Sequence, residues 1–302
     1  MANSPIITSL PEYVEQNKIG LIAKSVLGAK STSVLNFQSG VKGIAAINLV
    51  NTDVEFGDGS ACGWNEAGTQ ELSQRKIETG MIKVNMAYCD KKLVKTYAEY
   101  GVKVAAGSKT LPFEQDFING VVDNVKAALE KAIWQGDKAS GDANLNKFDG
   151  LLKLIGAEES VITVTPAQGT SAYASIKEVI AAIPAVALKE DTRVFVGADT
   201  FVKFIQEMVD ANLYHYSADN ANGEFTMPGT TIKVVSLDGL NGTKKIVAGR
   251  ASNFYYGTDM EGDEEKFEFW YSQDNREFRL AVEFNAGVQV AFPDEVVVAT
   301  LS

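Results

Sequence analysis

The chain has 302 residues, 45% of them hydrophobic and 22% charged, which fits a globular protein of one to three domains and excludes wholesale disorder. Its formal net charge of -11 excludes a large surface made to grip nucleic-acid phosphates, because that affinity comes from Lys and Arg; a protein that encloses nucleic acid without holding it stays open. Two cysteines, Cys62 and Cys89, make no disulfide scaffold, and both thiols are expected free in a reducing compartment.

Residues 1–43 read as an arm. Pro11–Leu27 fits a short helix with Tyr13, Ile19, Leu21, Ile22 and Val26 partly buried, set among Ser, Thr, Gly and Lys. Such a segment makes no core of its own and is expected to lie on another part of the fold. The first five residues carry no basic stretch before an apolar one, so a secretory signal is not expected. The longest apolar run, Val179–Leu188, contains Pro184 and falls well short of the ~20 residues that cross a bilayer. A soluble protein made in the cytoplasm is expected.

Residues 44–87 read as two strands around a long turn, Ile44–Val50 and Lys76–Tyr88. Ile77, Met81 or Ile82, Val84 and Met86 mark the apolar positions of the second. The turn between them is rich in Gly and Asp, and Trp64 is a large apolar group with no local helix to bury it. Asp58, Gly59, Cys62 and Trp64 are therefore the candidate contact residues at the tip of an extended loop. Strands of ~10 residues reach ~33 Å, against a radius of gyration near ~19 Å for a compact chain of this length. The hairpin therefore either projects from the body or packs back over it.

Residues 112–135 give the clearest helix. Phe113, Phe117, Val121, Val125, Leu129 and Ile133 recur every fourth residue, and Ile118, Val122 and Ala132 widen the stripe along one side. Thr110 and Pro112 suit its start and Gly136 its stop. At ~1.5 Å per residue it is ~36 Å long. Residues 143–261 alternate helix and strand, as in a mixed α/β layer domain. Ala172–Leu188 reads as a helix interrupted by Pro184, Arg193–Gly197 as a buried strand, and Asp199 or Thr200 as the cap of a helix to about Asn212. Thr231–Leu237 and Lys245–Ala248 read as strands. Three period-two segments then follow: Phe267 to Tyr271, Phe278 to Phe284, and Val288 to Phe292. Asp274-Asn275 reads as a turn and Asn285-Ala286-Gly287 as a bend or bulge.

The chemistry-bearing motifs are thin. His215 is the one histidine, flanked by Tyr214 and Tyr216 with no second ligand or nucleophile beside it, and reads as a packing residue. Gly107-Ser108-Lys109-Thr110 lacks the Gly directly before Lys that a phosphate loop needs. Asp142, Asn144 and Asn146 begin like a calcium loop, but Lys147 and Lys153 stand where Gly and Glu belong. Residues 261–265 form an acidic, solvated run. The sequence calls for no cofactor, no metal and no catalytic residue.

The order of these parts resembles the major capsid proteins of tailed bacteriophages that share the HK97-type shell fold. The resemblance spans nearly the whole chain. It rests on Ile133-Trp134-Gln135-Gly136-Asp137 with Phe148-Asp149-Gly150, on residues 193–201, 227–235 and 247–257, and on the return from Arg279 to Val298. It implies an α+β fold with an N-terminal arm (1–43), an extended β-hairpin loop (44–87) and a peripheral domain with a spine helix (88–142). An axial domain (143–261), return strands (262–292) and a terminal axial strand (293–302) complete it. It also implies pentamers and hexamers of this chain in an icosahedral shell around double-stranded DNA, located in the virion after assembly in the host cytoplasm. Portal, scaffolding and decoration proteins would be its partners. The chain departs from members that carry a long coiled-coil scaffold before the arm. Some members cross-link a loop Lys to a neighbour's Asn; Lys76 and Lys83 lie near the loop, but nothing identifies a partner, and that activity is not carried over. Two alternatives are an encapsulin-type compartment with protein cargo, and a soluble α/β enzyme or nucleotide binder using the loop before Leu111.

Overall fold

Two sheets packed on one long helix organise the chain. The computed structural model describes residues 5–56, 60, 68–89, 91, 92, 95, 96, 98, 99, 102, 113–212, 223–259 and 266–301. Helix α1 (Pro5–Leu27) begins six residues before the expected start and carries Pro11 inside it. It buries Leu10, Val14, Leu21 and Val26 on the long helix and on strand Lys266–Ser272, so the arm borrows its core as its composition requires. A short helix α2 (Lys30–Val34) and strand β1 (Asn36–Gln38) follow.

The long helix α3 (Phe113–Gln135) buries Ile118, Val122, Val125, Leu129 and Ile133, the stripe that the four-residue spacing predicts. Thr110 and Pro112 lie outside the described residues. One expectation is corrected: the helix is not apolar along one side only. In its last two turns Glu130 and Trp134 are also buried, because α2 and the turn Asp238–Leu240 cover a second face. Gly136 ends the helix, and its carbonyl accepts the Gly150 amide at 2.8 Å, closing the 137–149 loop at its neck. Helix α4 (Leu151–Gly156) leads out of that neck.

The first sheet is built on β12 (Glu277–Val290), a continuous strand of 14 residues. It pairs antiparallel with β4 (Gly80–Cys89), β11 (Lys266–Ser272) and β10 (Phe254–Thr258), and β10 takes β1 in parallel on its far edge. The expected bend or bulge at Asn285-Ala286-Gly287 is not there. Phe278, Leu280, Val282, Phe284, Ala286, Val288 and Val290 are all buried with no phase slip, and pairing stays one-to-one through the segment. Gly287 has a different purpose, described below. The buried face packs on α3 and α1 through Phe117, Phe267, Phe269, Phe278 and Tyr88.

The return strand of the hairpin is also corrected. Lys76–Tyr88 is not one strand. β2 (Ile44–Asp53) pairs with β3 (Thr69–Glu78) in ten register pairs, from Ile44↔Glu78 to Asp53↔Thr69. After Thr79 the chain turns into β4, which belongs to the first sheet.

The second sheet has six strands in the order β5 (Ile162–Val164), β13 (Val297–Thr300), β9 (Lys245–Arg250), β6 (Thr192–Val196), β8 (Lys233–Ser236), β7 (Glu224–Thr226). Val194, Val196, Val234, Ile246 and Ala248 face helices α5 (Ala172–Ala181) and α6 (Ala198–Asp210), while Phe195, Val235 and Val247 face the long helix and first sheet. Burial on both faces explains their continuous hydrophobic runs. Helix α5 is shorter than expected, with a separate turn of 3-10 helix at Ala185–Ala187 after Pro184. The expected cap of α6 is corrected too. Gly197 flanks its start, and the Ala198 amide donates to Asn241 Oδ1 at 2.6 Å, a cap brought from a distant turn. A ring ladder joins the layers: Trp134 to Phe195 at 5.4 Å, and Phe195 to Phe254 at 5.5 Å.

Candidate assembly surfaces

The hairpin has an inner face that docks on the body and an outer face that stays exposed from Ile44 at its base outward. At its base Ile47, Leu49 and Ile77 form a small core with Val41 and Ala291, flanked by Ala45, Tyr255 and Phe292. Charges clamp the same end. Arg75 Nη1 lies 2.7 Å from Glu158 Oε1 beyond α4, and Lys138 Nζ lies 2.6 Å from Glu78 Oε2. The Arg75 guanidinium holds the Glu158 carboxyl below its ordinary range. Gln289 Nε2 donates to the Lys76 carbonyl at 2.8 Å. The base is thus packed back on the body, which settles one half of the choice the sequence left open.

The outer face is different. Val50 and Leu72 are register partners on one face of the ribbon, and they are 52% and 76% exposed. Beyond them Val54 is 66% and Phe56 96% exposed. A contiguous exposed apolar strip of this kind marks a contact surface. Asp58, Gly59, Cys62 and Trp64, the candidate tip residues, lie outside the described residues. So do His215, the loop 107–110 and the acidic run 261–265.

A junction that sequence reasoning missed ties the arm to the long helix. Glu130 is 4% exposed; its Oε2 accepts the Ser31 amide at 2.9 Å and its Oε1 the Ser31 hydroxyl at 2.5 Å. Trp134 Nε1–H donates to Ser31 Oγ at 2.7 Å. The spacing of Glu130 and Trp134, four apart on one helix, was the available signal, but a Glu at such a place is ordinarily solvated. Burial raises the Glu130 carboxyl above its ordinary range, Asp238 on the covering turn pushes the same way, and the bonds from Ser31 and Gly239 only partly offset this. The folded value therefore exceeds the unfolded one. Its stabilisation is full below the unfolded pKa, about 4.3, and is lost as pH rises through the folded value. Glu130→Gln keeps the volume, and its amide can turn oxygen to the Ser31 N–H and nitrogen to Ser31 Oγ. We expect urea titrations to show the variant gaining on the unmodified chain as pH rises from about 4.3 towards neutrality. The lowered carboxyls of Asp137, Asp149, Glu158, Asp191 and Glu277 act in the opposite sense but cancel in the difference. A pH-independent difference would refute the assignment.

Among the hollows of the described residues, two lie on the first sheet. A groove of ≈ 300 Å³ lies between β4 and α3, lined by Ile82, Val84, Met86, Val121, Val125 and Leu129 among others. The other, on the outer face of the first sheet, is lined by Lys83, Glu268, Trp270, Arg279 and Glu283. Lys83 pairs with Glu283 at 2.8 Å and Arg279 with Glu277 at 2.8 Å. Neither hollow sets a nucleophile beside a base. Among the described residues no group of three or more His, Cys, Asp or Glu side chains is placed to hold a metal ion, and no helix is long and apolar enough to cross a membrane. Asp142 instead caps its own turn, its Oδ1 accepting the Asn144 amide at 2.9 Å. Cys89 is free and exposed.

No protein-family profile matches the chain, and no curated protein matches it in sequence. Solved structures do. The chain is similar to a protein of the satellite phage P4 procapsid, with TM-score 0.64 and 12% identity over 94% of this chain and 90% of that one. It is similar to the capsid of an empty GTA particle, with TM-score 0.60 and 13% identity over 92% and 90%. A virus-like particle from Pyrococcus furiosus is similar at TM-score 0.52 and 8% identity over 93% and 96%. At these identities the likeness is one of fold: the chain has the α+β fold of these shell-forming proteins.

Proposed function

We propose that this chain is the major capsid protein of a tailed bacteriophage. It assembles with copies of itself into pentamers and hexamers of an icosahedral shell that encloses double-stranded DNA, and its role is structural rather than catalytic. The observation that carries the reading is the hairpin: a fold shared with shell proteins presents, on a clamped base, an apolar strip that its own subunit leaves uncovered. Lasting assemblies commonly bury ~2,000–5,000 Å² per interface, and a reaching hairpin adds area that a globular face lacks. The division into arm, hairpin, peripheral and axial parts belongs to this proposal, with the hairpin ending at Glu78. So do the tip residues Asp58, Gly59, Cys62 and Trp64 as neighbour contacts, assembly in the host cytoplasm, and portal, scaffolding and decoration proteins as partners. The net charge of -11 suits a container that must not trap the DNA inside it. Similarity to the Pyrococcus furiosus particle supports a second reading, an encapsulin-type shell around protein cargo.

Electron microscopy of the purified full chain is expected to show closed particles. Nuclease-protected double-stranded DNA in particles from producing cells would support the first reading, and protein cargo the second. A monomer that persists at high concentration under several assembly conditions would refute both.

A further inference from the structure

The outer face of β12 carries Glu277, Arg279, Ala281, Glu283, Asn285 and Gln289 at successive alternate positions, with one gap, Gly287. Its direct partner on β10 is Gly257, so the gap is two residues wide. Neither glycine has a positive φ, so the backbone conformation does not require them. What requires them is space. A Cβ at Gly287 would stand 2.4 Å from the Glu78 carbonyl oxygen and 3.0 Å from Thr79 Cα. A Cβ at Gly257 would meet Ile77 Cγ2 at 3.1 Å and Val41 Cγ2 at 3.2 Å. The last residues of β3 therefore lie directly on a bare patch of the sheet, where glycine in a strand marks close backbone approach. At that same place the two strands of the hairpin are tied together, the Thr79 amide donating to the Gly43 carbonyl at 2.8 Å. Distal to it come the ion pairs of Glu78 and Arg75 with the body.

We propose that Gly257 and Gly287 are positioning residues for assembly: they form a side-chain-free seat that sets the direction in which the hairpin leaves the subunit. This rests on the reading of the hairpin as the contact to a neighbouring copy. A methyl at Gly287 meets backbone, not the end of a flexible side chain, so it is relieved by lifting the hairpin base. Tilting a ribbon about its base displaces its far end most, and a shell closes only if many copies present that end alike.

Particle yield is read on the full chain with its own cysteines; the distance is read on the same chain with Cys62→Ser and Cys89→Ser, spin-labelled through Asn48→Cys on the hairpin and Asn144→Cys on the body. Gly287→Ala is expected to shift or broaden the label–label distance and to lower the yield of closed particles by roughly tenfold, since many weakened contacts multiply. Amide exchange in α3 and in residues 278–284 should stay as in the unmodified chain. Ile77→Ala, which empties the seat from the hairpin side without adding a clash, should also broaden the distance, and it decides the matter if Gly287→Ala does not fold. An unchanged distance in the folded variants overturns the seat. A moved hairpin with particles at the unmodified yield overturns its part in assembly. Absence of particles from the unmodified chain overturns instead the reading beneath it.

Discussion

Replacing residues 55–70 by a short Gly-Ser linker is expected to leave a soluble, folded subunit that no longer closes into particles. The excision spares the register pairs from Ile44↔Glu78 to Val50↔Leu72 and every residue of the small core beneath the hairpin base. Both ion pairs of the base also remain. None of the described residues in 55–70 belongs to a core cluster, and changes away from a core usually shift stability by no more than roughly ±0.5 kcal/mol. The excision takes Phe56, the most exposed residue of the apolar strip, together with Trp64, and on the proposed reading that loss repeats at every contact of a closed lattice. Thermal melting of the unassembled subunit should therefore shift by only a few degrees, while sedimentation and microscopy show particles lost. Trp64→Ala should weaken assembly in the same direction. An unfolded subunit from either change would place the hairpin tip inside the core, and undiminished particles would remove it from the interface.

Trp134→Ala is expected to be the most damaging single substitution in the subunit. The ring is fully buried, stacks towards Phe195, and its Nε1–H satisfies Ser31 Oγ, so three parts of the chain meet on it. Gly239 abuts it so closely that a Cβ there would stand 2.5 Å from Trp134 Cδ1. Truncating a buried Trp costs about 3–5 kcal/mol, a large part of the ~5–15 kcal/mol that holds a typical fold, and should lower the melting temperature by roughly 10 °C. Trp134→Phe keeps much of the apolar ring but removes the donor to Ser31, and should cost less, about 1–3 kcal/mol. Equal losses from both variants would mean that the hydrogen bond, not the packing, dominates.

The long helix and the paired strands β11 and β12 were legible because each repeats one period over many residues, and a period is a local property. Three strands of the second sheet, β6, β8 and β9, were legible from continuous apolar runs rather than from a period, while β5 and β7 are too short to carry either signal. What failed was set by distant partners. The split between β3 and β4 coincides with a phase slip from Ile77 to Ile82, left open in the sequence as Met81 or Ile82, and nothing near Thr79 reports that Gly80 must approach the Lys147 carbonyl, 2.0 Å from where its Cβ would be. Gly287 was read as a bend because glycine in a strand has two explanations, and only the position of Glu78 decides between them. Glu130 was unreadable because α2 and the 238–240 turn, which bury it, come from about a hundred residues to either side. The residues proposed for assembly read in the sequence as a turn holding a Trp with no local helix to bury it, but the positions proposed to aim that turn lie in strands more than 150 residues away in sequence.

The place of β13 in the second sheet bears on biosynthesis. β13 lies between β5 and β9, and it is the only partner of β5 in the described sheet. Residues 297–300 follow every other described strand of this sheet in sequence, so the six-stranded sheet cannot be completed before they have emerged from the ribosome. Until then Val247 and Ile246 have a bare hydrogen-bonding edge beside them, the kind of edge that recruits other chains. β1 likewise waits for β10, about 220 residues downstream, and such distant closures are slow. The edge beside β9 is therefore protected only from the moment β13 is in place.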